Sequence, residues 1–171
     1  MTITLIGMPG AGKSIMGQAL AKALGFSWID GDRAIEEKTG RQLQNIINED
    51  GIEEFRRIEE CVLLSLAQKN TVISTGGSAI YYDSAMQNFK KNGKVVYLYV
   101  GVEELLFRLG DYSKRGIVLA PGKTIADLYE ERRPLYEKYA DLTIDCNGRE
   151  YSTYQKNLNE VILSICEKSK E

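Results

Sequence analysis

A length of 171 residues suits one domain with a proper hydrophobic core, and 43% hydrophobic with 27% charged residues is ordinary for a soluble globular chain. With 22 basic against 24 acidic residues the net charge is −2, which gives no electrostatic case for nucleic acid or an anionic membrane as partner. The chain has no histidine, which removes every mechanism that needs a His base, a Ser-His pair or a His-bound metal and leaves proton handling to carboxylates.

Taken from the N-terminus, Thr2–Ile6 reads as a strand, and residues 7 to 14 follow it as Gly-Met-Pro-Gly-Ala-Gly-Lys-Ser, a full G-x-x-x-x-G-K-S loop. Glycines at 7, 10 and 12 let successive N–H groups turn inward toward phosphate oxygens. Lys13 brings positive charge to the β- and γ-phosphates, and the Ser14 hydroxyl suits Mg²⁺. Ile15, Met16, Ala19, Leu20, Ala23 and Leu24 repeat at helical spacing, so the loop opens onto a helix N-terminus that favours an anion. Gly10, Ala11, Gly12, Lys13, Ser14 and Ile15 are therefore the expected contacts of a nucleoside triphosphate.

Further strands are expected at Ser27–Asp30, Thr71–Ser74, Lys94–Val100 and Asp141–Asp145, separated by helical patterns. That alternation predicts an α/β fold, a parallel sheet with helices on both faces, and the strands are continuous apolar runs as doubly covered strands should be. Asp30-Gly31-Asp32 ends the second strand, at the sheet edge where ligands bind. Asp30 there suits Mg²⁺ and Asp32 suits a substrate hydroxyl, while a plain helix N-cap is the competing reading of Asp32.

Ile52 to Lys69 reads as a helix whose apolar stripe is Ile52, Phe55, Val62, Leu63 and Leu66. Glu59 falls inside that stripe and needs a partner; Arg56, three residues earlier, can supply one, either as a structural ion pair or as an anion clamp. After the third strand, Gly76-Gly77 allows close backbone approach to a ligand, or makes a simple turn. Residues 110 to 122, bracketed by glycines and holding Lys114-Arg115, read as a lid, and about 31–62 as the substrate-binding region of a single domain, 1–171. Arg132-Arg133-Pro134 sits on a helical pattern with Pro134 marking a kink or break. Tyr154, Leu158, Val161, Ile162 and Ile165 predict a final helix that packs on the sheet. Cys61, Cys146 and Cys166 lie far apart without a C-x-x-C pair, as reduced thiols of a cytoplasmic protein would. No apolar run has membrane-spanning length, and residues 1 to 6 lead straight into the fold, so neither a membrane segment nor a signal peptide is expected.

Together these stretches resemble the shikimate kinase family of small P-loop kinases over most of the chain. The resemblance is carried by Gly7–Ser14, Asp30-Gly31-Asp32 with Ile35-Glu36, Thr39-Gly40, Glu54-Phe55-Arg56-Arg57-Ile58-Glu59-Glu60, Gly76-Gly77, and Arg132-x-Pro134-Leu135-Tyr136. It implies a five-stranded parallel sheet with a substrate-binding helical region and a mobile lid. It also implies ATP-dependent phosphorylation of a hydroxylated carboxylate, shikimate first, with Mg²⁺ as cofactor and a monomer as the working unit. By this resemblance Asp32 holds substrate hydroxyls and assists proton removal. Arg56, Arg132 and the Gly76-Gly77 backbone hold the acid, and Glu59 orients Arg56. Ser14 and Asp30 serve Mg²⁺, Lys13 the phosphates, Arg115 the transferring phosphoryl group, and Arg108 lies against adenine. The chain departs from the family pattern at Ser78, where a third glycine is usual, and at Gly116-Ile117, where Pro-Leu usually follows the lid arginine. The segment from the lid to Arg132 is also shorter. A kinase for gluconate or homoserine, and a regulatory nucleotide-binding module without turnover, are the rival readings. An N-K-x-D guanine-reading motif is absent, against a GTPase.

Overall fold

Five consecutive buried residues, Thr2–Ile6, form β1 at the centre of the sheet. The computed structural model describes residues 1–110, 117, 119, 122–148 and 150–167. On one side β1 pairs with β3 (Thr71–Ser74), and β2 (Ser27–Asp30) lies outside it; on the other side β4 (Gly93–Tyr99) and then β5 (Leu142–Asp145) complete the sheet. All four pairings are parallel, so every return crosses a face through a helix and both faces are covered. Ile3, Leu5, Ile73, Val96 and Leu98 are consequently buried.

The glycine-rich loop leads into α1 (Lys13–Leu24), which starts from Gly12 at φ 94° and stops at Gly25 at φ 67°, left-handed positions that favour glycine. Between β2 and β3 the chain builds α2 (Gly31–Thr39), α3 (Leu43–Asp50) and α4 (Ile52–Ser65). A one-turn 3₁₀ segment, Ala79–Tyr81, and α5 (Asp83–Asn92) lead to β4. After α6 (Val102–Leu109) comes α7 (Ile125–Tyr139), which opens on a reciprocal cap between Thr124 and Asp127. The last helix, α8 (Tyr151–Glu167), buries Leu158, Val161 and Ile165, as its spacing predicts.

Four points differ from expectation, the smallest being the fifth strand, which starts at Leu142 and not Asp141. The helix predicted to reach Lys69 ends at Ser65, because Asn70 must pair with Met1 and Thr71 with Thr2 to start β3. The fourth strand is shifted one residue earlier, with Gly93 already in register with Thr2. Pro134 does not break the chain: α7 runs through it to Tyr139. Among the described residues no helix is long and apolar enough to cross a membrane, and Cys61 and Cys146 are unbonded, the first exposed and the second buried.

Candidate active site

Because the strands are parallel, the loops after β1, β2 and β3 leave the same edge of the sheet. That edge carries the phosphate loop, Asp30 with Asp32, and residues 75–78, and they line one cavity of about 1040 Å³. Leu43, Ile47, Ile52 and Phe55 from α3 and α4 give the cavity an apolar lining, to which Ile117 and Leu119 of the expected lid also contribute.

The loop is held from beneath. Trp28 Nε1 donates to Ser74 Oγ (3.1 Å), which donates to the Lys13 carbonyl (2.8 Å), so β2 and β3 both fix the first turn of α1. Lys13 is 9% exposed and its ammonium donates to the Gly7 and Met8 carbonyls at 2.8 and 2.9 Å. Burial lowers its pKa to about 8; the negative charge of Asp32 works against that fall and the positive charge of Arg132 with it. A phosphate arriving here meets a cation that, among the described residues, has no carboxylate bonded to it.

Ser14 Oγ donates to Asp30 Oδ2 at 2.9 Å, and Asp30 Oδ1 accepts from the backbone N–H groups of Asp32 and Arg33. Asp30, not Asp32, is therefore the N-cap of α2. The capping reading of Asp32 fails on this geometry, and its carboxylate is left to face the cavity. Burial raises the Asp32 pKa to about 6, helped by the negative charges of Asp30 and Glu59 and opposed by Lys13. A Cβ built on Gly76 would stand 2.7 Å from Asp32 Oδ1, so only glycine lets this carboxylate pack against the backbone there.

Glu59 is 1% exposed, as its place in the apolar stripe predicts, but its partner is not the expected one. Ser78 Oγ donates to its Oε1 (2.6 Å) and Tyr82 OH to its Oε2 (2.7 Å). Arg56 is instead 55% exposed at the side chain and paired with Glu53 (2.9 Å), which sits one turn earlier on the solvated face. The expectation that Glu59 orients Arg56 by direct pairing is thus corrected, although the Arg56 and Arg132 charges both favour ionised Glu59 against its burial. Ser78, the departure from three glycines, is one of the two hydroxyls that satisfy this buried acid.

Arg132 is the second buried cation, at 6% exposure. Its Nε donates to Tyr81 OH (3.2 Å), its guanidinium lies 5.3 Å from the Tyr81 ring centroid, and among the described residues it has no ion pair. A Cβ on Gly77 would stand 2.8 Å from its Nη1, and the Gly77 carbonyl accepts from Tyr136 OH at 2.7 Å. Burial opposes the charge on Arg132, yet the oxygens of Tyr136 and Tyr81 outweigh that and raise its pKa.

Lys13, Ser14, Asp30, Asp32, Arg56, Glu59, Gly76, Gly77 and Arg132 thus share one cavity, as do Gly10, Gly12 and Ile15. Buried Ala11 closes the loop, its N–H donating to the Met8 carbonyl (3.1 Å). Arg108 does not line it; the guanidinium is tied to Glu104 (2.8 Å) and to the carbonyls of Cys146 and Gly148 (2.7 and 2.9 Å). Arg115 lies outside the described residues. The three hydroxyls of Ser78, Tyr81 and Tyr82 were not legible as site residues. Their signal was available in outline: polar tips directly after a glycine pair at the carboxyl end of a strand.

The family profile described as shikimate kinase matches residues 9–166. A shikimate kinase of Mycobacterium avium is 40% identical over 148 residues, covering 85% of this chain and 84% of that protein. Among solved structures, a shikimate kinase from Acinetobacter baumannii in complex with shikimate superposes with a TM-score of 0.87 at 32% identity, over 99% of this chain and 95% of that one. One from Aquifex aeolicus gives 0.84 at 30% identity, over 99% and 98%.

Proposed function

The chain belongs to the shikimate kinase family, and we infer that it transfers the γ-phosphoryl group of ATP to a hydroxyl of shikimate, giving shikimate 3-phosphate. The observation that carries the acid half of this reading is Arg132: a buried guanidinium without a carboxylate partner among the described residues, facing the same cavity as the phosphate loop. Burying an unneutralised cation is costly, and a bound carboxylate offsets that cost with two parallel hydrogen bonds.

Phosphoryl transfer asks mainly for positioning and charge stabilisation. Arg132, Arg56 and the Gly76-Gly77 backbone would fix the acid, and Asp32 would orient the acceptor hydroxyl. With its pKa near 6, Asp32 is ionised at neutral pH and can take the hydroxyl proton as the new O–P bond forms and the bond to ADP breaks. Lys13 and, from the lid, Arg115 would neutralise charge on the transferring group, and Arg108 would lie against adenine. Ser14 and Asp30 suit Mg²⁺, since two hard oxygen ligands already meet at 2.9 Å beside the loop. Bound with the nucleotide, that ion would neutralise β- and γ-phosphate charge. A monomer is the proposed working unit, and the free thiols of Cys61 and Cys146 fit the cytoplasm.

A coupled ADP-release assay with MgATP and shikimate, gluconate or homoserine in turn, against a control without acceptor, tests this. Turnover that depends on shikimate is the expected result. Turnover with gluconate or homoserine alone would overturn the choice of acceptor, and ATP binding without any turnover would favour a regulatory module.

A further inference from the structure

The Arg132 guanidinium is fixed at one edge by a group that the reaction itself does not require. Tyr81, at the end of the 3₁₀ segment, reaches two successive residues of α7: its hydroxyl accepts from Arg132 Nε at 3.2 Å and donates to Glu131 Oε1. The same ring lies beneath the guanidinium, 5.3 Å from centroid to Cζ. We propose that Tyr81 is a positioning residue that orients the Arg132 guanidinium for the substrate acid, through a hydroxyl relay from Glu131.

The arrangement does what a direct ion pair would not. A carboxylate paired bidentately with Arg132 would occupy its fork and neutralise its charge, leaving little attraction for a substrate. The relay grips the Nε edge alone. Glu131, which is exposed, polarises the phenol by accepting its proton in a hydrogen bond, and the phenol oxygen becomes a better acceptor for Nε. On the other side Nη1 occupies the space beside Gly77 that a Cβ would need, 2.8 Å from where that atom would stand. Orientation is thereby fixed while the charge stays available. Both Tyr81 and Glu131 line the cavity beside Arg132.

This inference rests on the reading of shikimate as acceptor, and steady-state kinetics separate the two. Wild-type turnover with shikimate tests the reading; its absence overturns that reading and the proposal with it. The variants Tyr81→Phe, Tyr81→Ala and Glu131→Gln test the relay. Losing one net hydrogen bond should raise the KM for shikimate about 3- to 10-fold in Tyr81→Phe, with kcat and the KM for ATP within about twofold of wild type. Glu131→Gln should move the same constant in the same direction by less, and Tyr81→Ala by more, since it also loses the ring. An unchanged shikimate KM in Tyr81→Phe, an equal rise in both KM values, or a fall confined to kcat would overturn the proposal. Should the Tyr81 variants not fold, Glu131→Gln at the surface decides: a wild-type shikimate KM there removes the relay.

Discussion

Asp32 shows how one carboxylate is made useful at a cost to the fold. Its pKa, raised from 3.8 to about 6, means that the folded chain holds this proton more tightly than the unfolded chain does. Stability therefore falls as pH rises through the window from 3.8 to 6, and above 6 the full penalty is present. A shift of that size corresponds to about 2–3 kcal/mol at 1.36 kcal/mol per unit. Asp32→Asn should then be more stable than wild type by up to that amount at pH 7.5 and equal to it near pH 4, while losing about 10²-fold or more in turnover. Denaturant unfolding at both pH values, with kcat measured beside it, checks the pair of effects; a variant destabilised at pH 7.5 would contradict it. Lys13 bounds the other side of the working range, because burial brings its pKa down to about 8. The profile of kcat/KM for ATP should rise through about pH 6 as Asp32 ionises and fall through about pH 8 as Lys13 loses its proton. A flat profile between those limits would remove these two groups from control of the rate.

Among the elements, α1 depends on a close approach that only glycine permits. A Cβ on Gly17 would stand 2.3 Å from Ser74 Oγ and 2.6 Å from Trp28 Nε1, the two groups that hold the Lys13 carbonyl in place. Gly17→Ala should push α1 off the sheet, lowering stability by about 1–3 kcal/mol, and raise the KM for ATP more than that for shikimate. Thermal unfolding with kinetics in both substrates tests this, and an unaffected ATP KM would show that the loop is positioned by other means. Such long-range fits explain what was legible in the sequence. The strand–loop–helix at residues 2–24 was readable because its chemistry is local: glycines, a lysine and a serine at fixed spacing. The burial of Glu59 was readable from helical period alone. Its partners were not, because Ser78 and Tyr82 are 19 and 23 residues away and arrive only when the 3₁₀ segment docks beside α4. Local spacing offered Arg56 instead, and Glu53, on the same face, won that arginine. Local pattern does not distinguish Arg132 from its neighbour Arg133; the resemblance alone singles it out. Only the packing of α7 shows that Arg132 is buried and Arg133 exposed, with Glu137 as its surface partner. The competing reading of Asp32 as a helix cap fails although β2 ends at Asp30 as expected, because the Asp30 side chain turns back to accept from the Asp32 and Arg33 N–H groups.

At the scale of the whole molecule, the cleft is a set of charges that folding alone does not neutralise. Lys13 and Arg132 are buried cations contributed by α1 and α7, at opposite ends of the sequence, and each lacks a bonded carboxylate among the described residues. Asp32 and Glu59 stand between them as buried acids with raised pKa values. Ligands that bring phosphate to one cation and carboxylate to the other should therefore stabilise the fold separately. A ligand at about 100 times its Kd adds about 2.7 kcal/mol, which for a chain of this size raises Tm by about 5–10 °C. Arg132→Met should lose the shift given by shikimate and keep the one given by MgATP. Lys13→Met should do the reverse, and without ligand it should be at least as stable as wild type, because burial disfavours the Lys13 charge, whereas Arg132→Met loses a charge that the Tyr136 and Tyr81 oxygens favour and should gain nothing. Thermal scans of the three proteins, with each ligand alone, decide the matter. Loss of both shifts in Arg132→Met would mean that this arginine holds the cleft together rather than waiting for an acid. Retention of both would place the acid site elsewhere and take with it the assignment of Arg132 as the residue that carries the substrate reading.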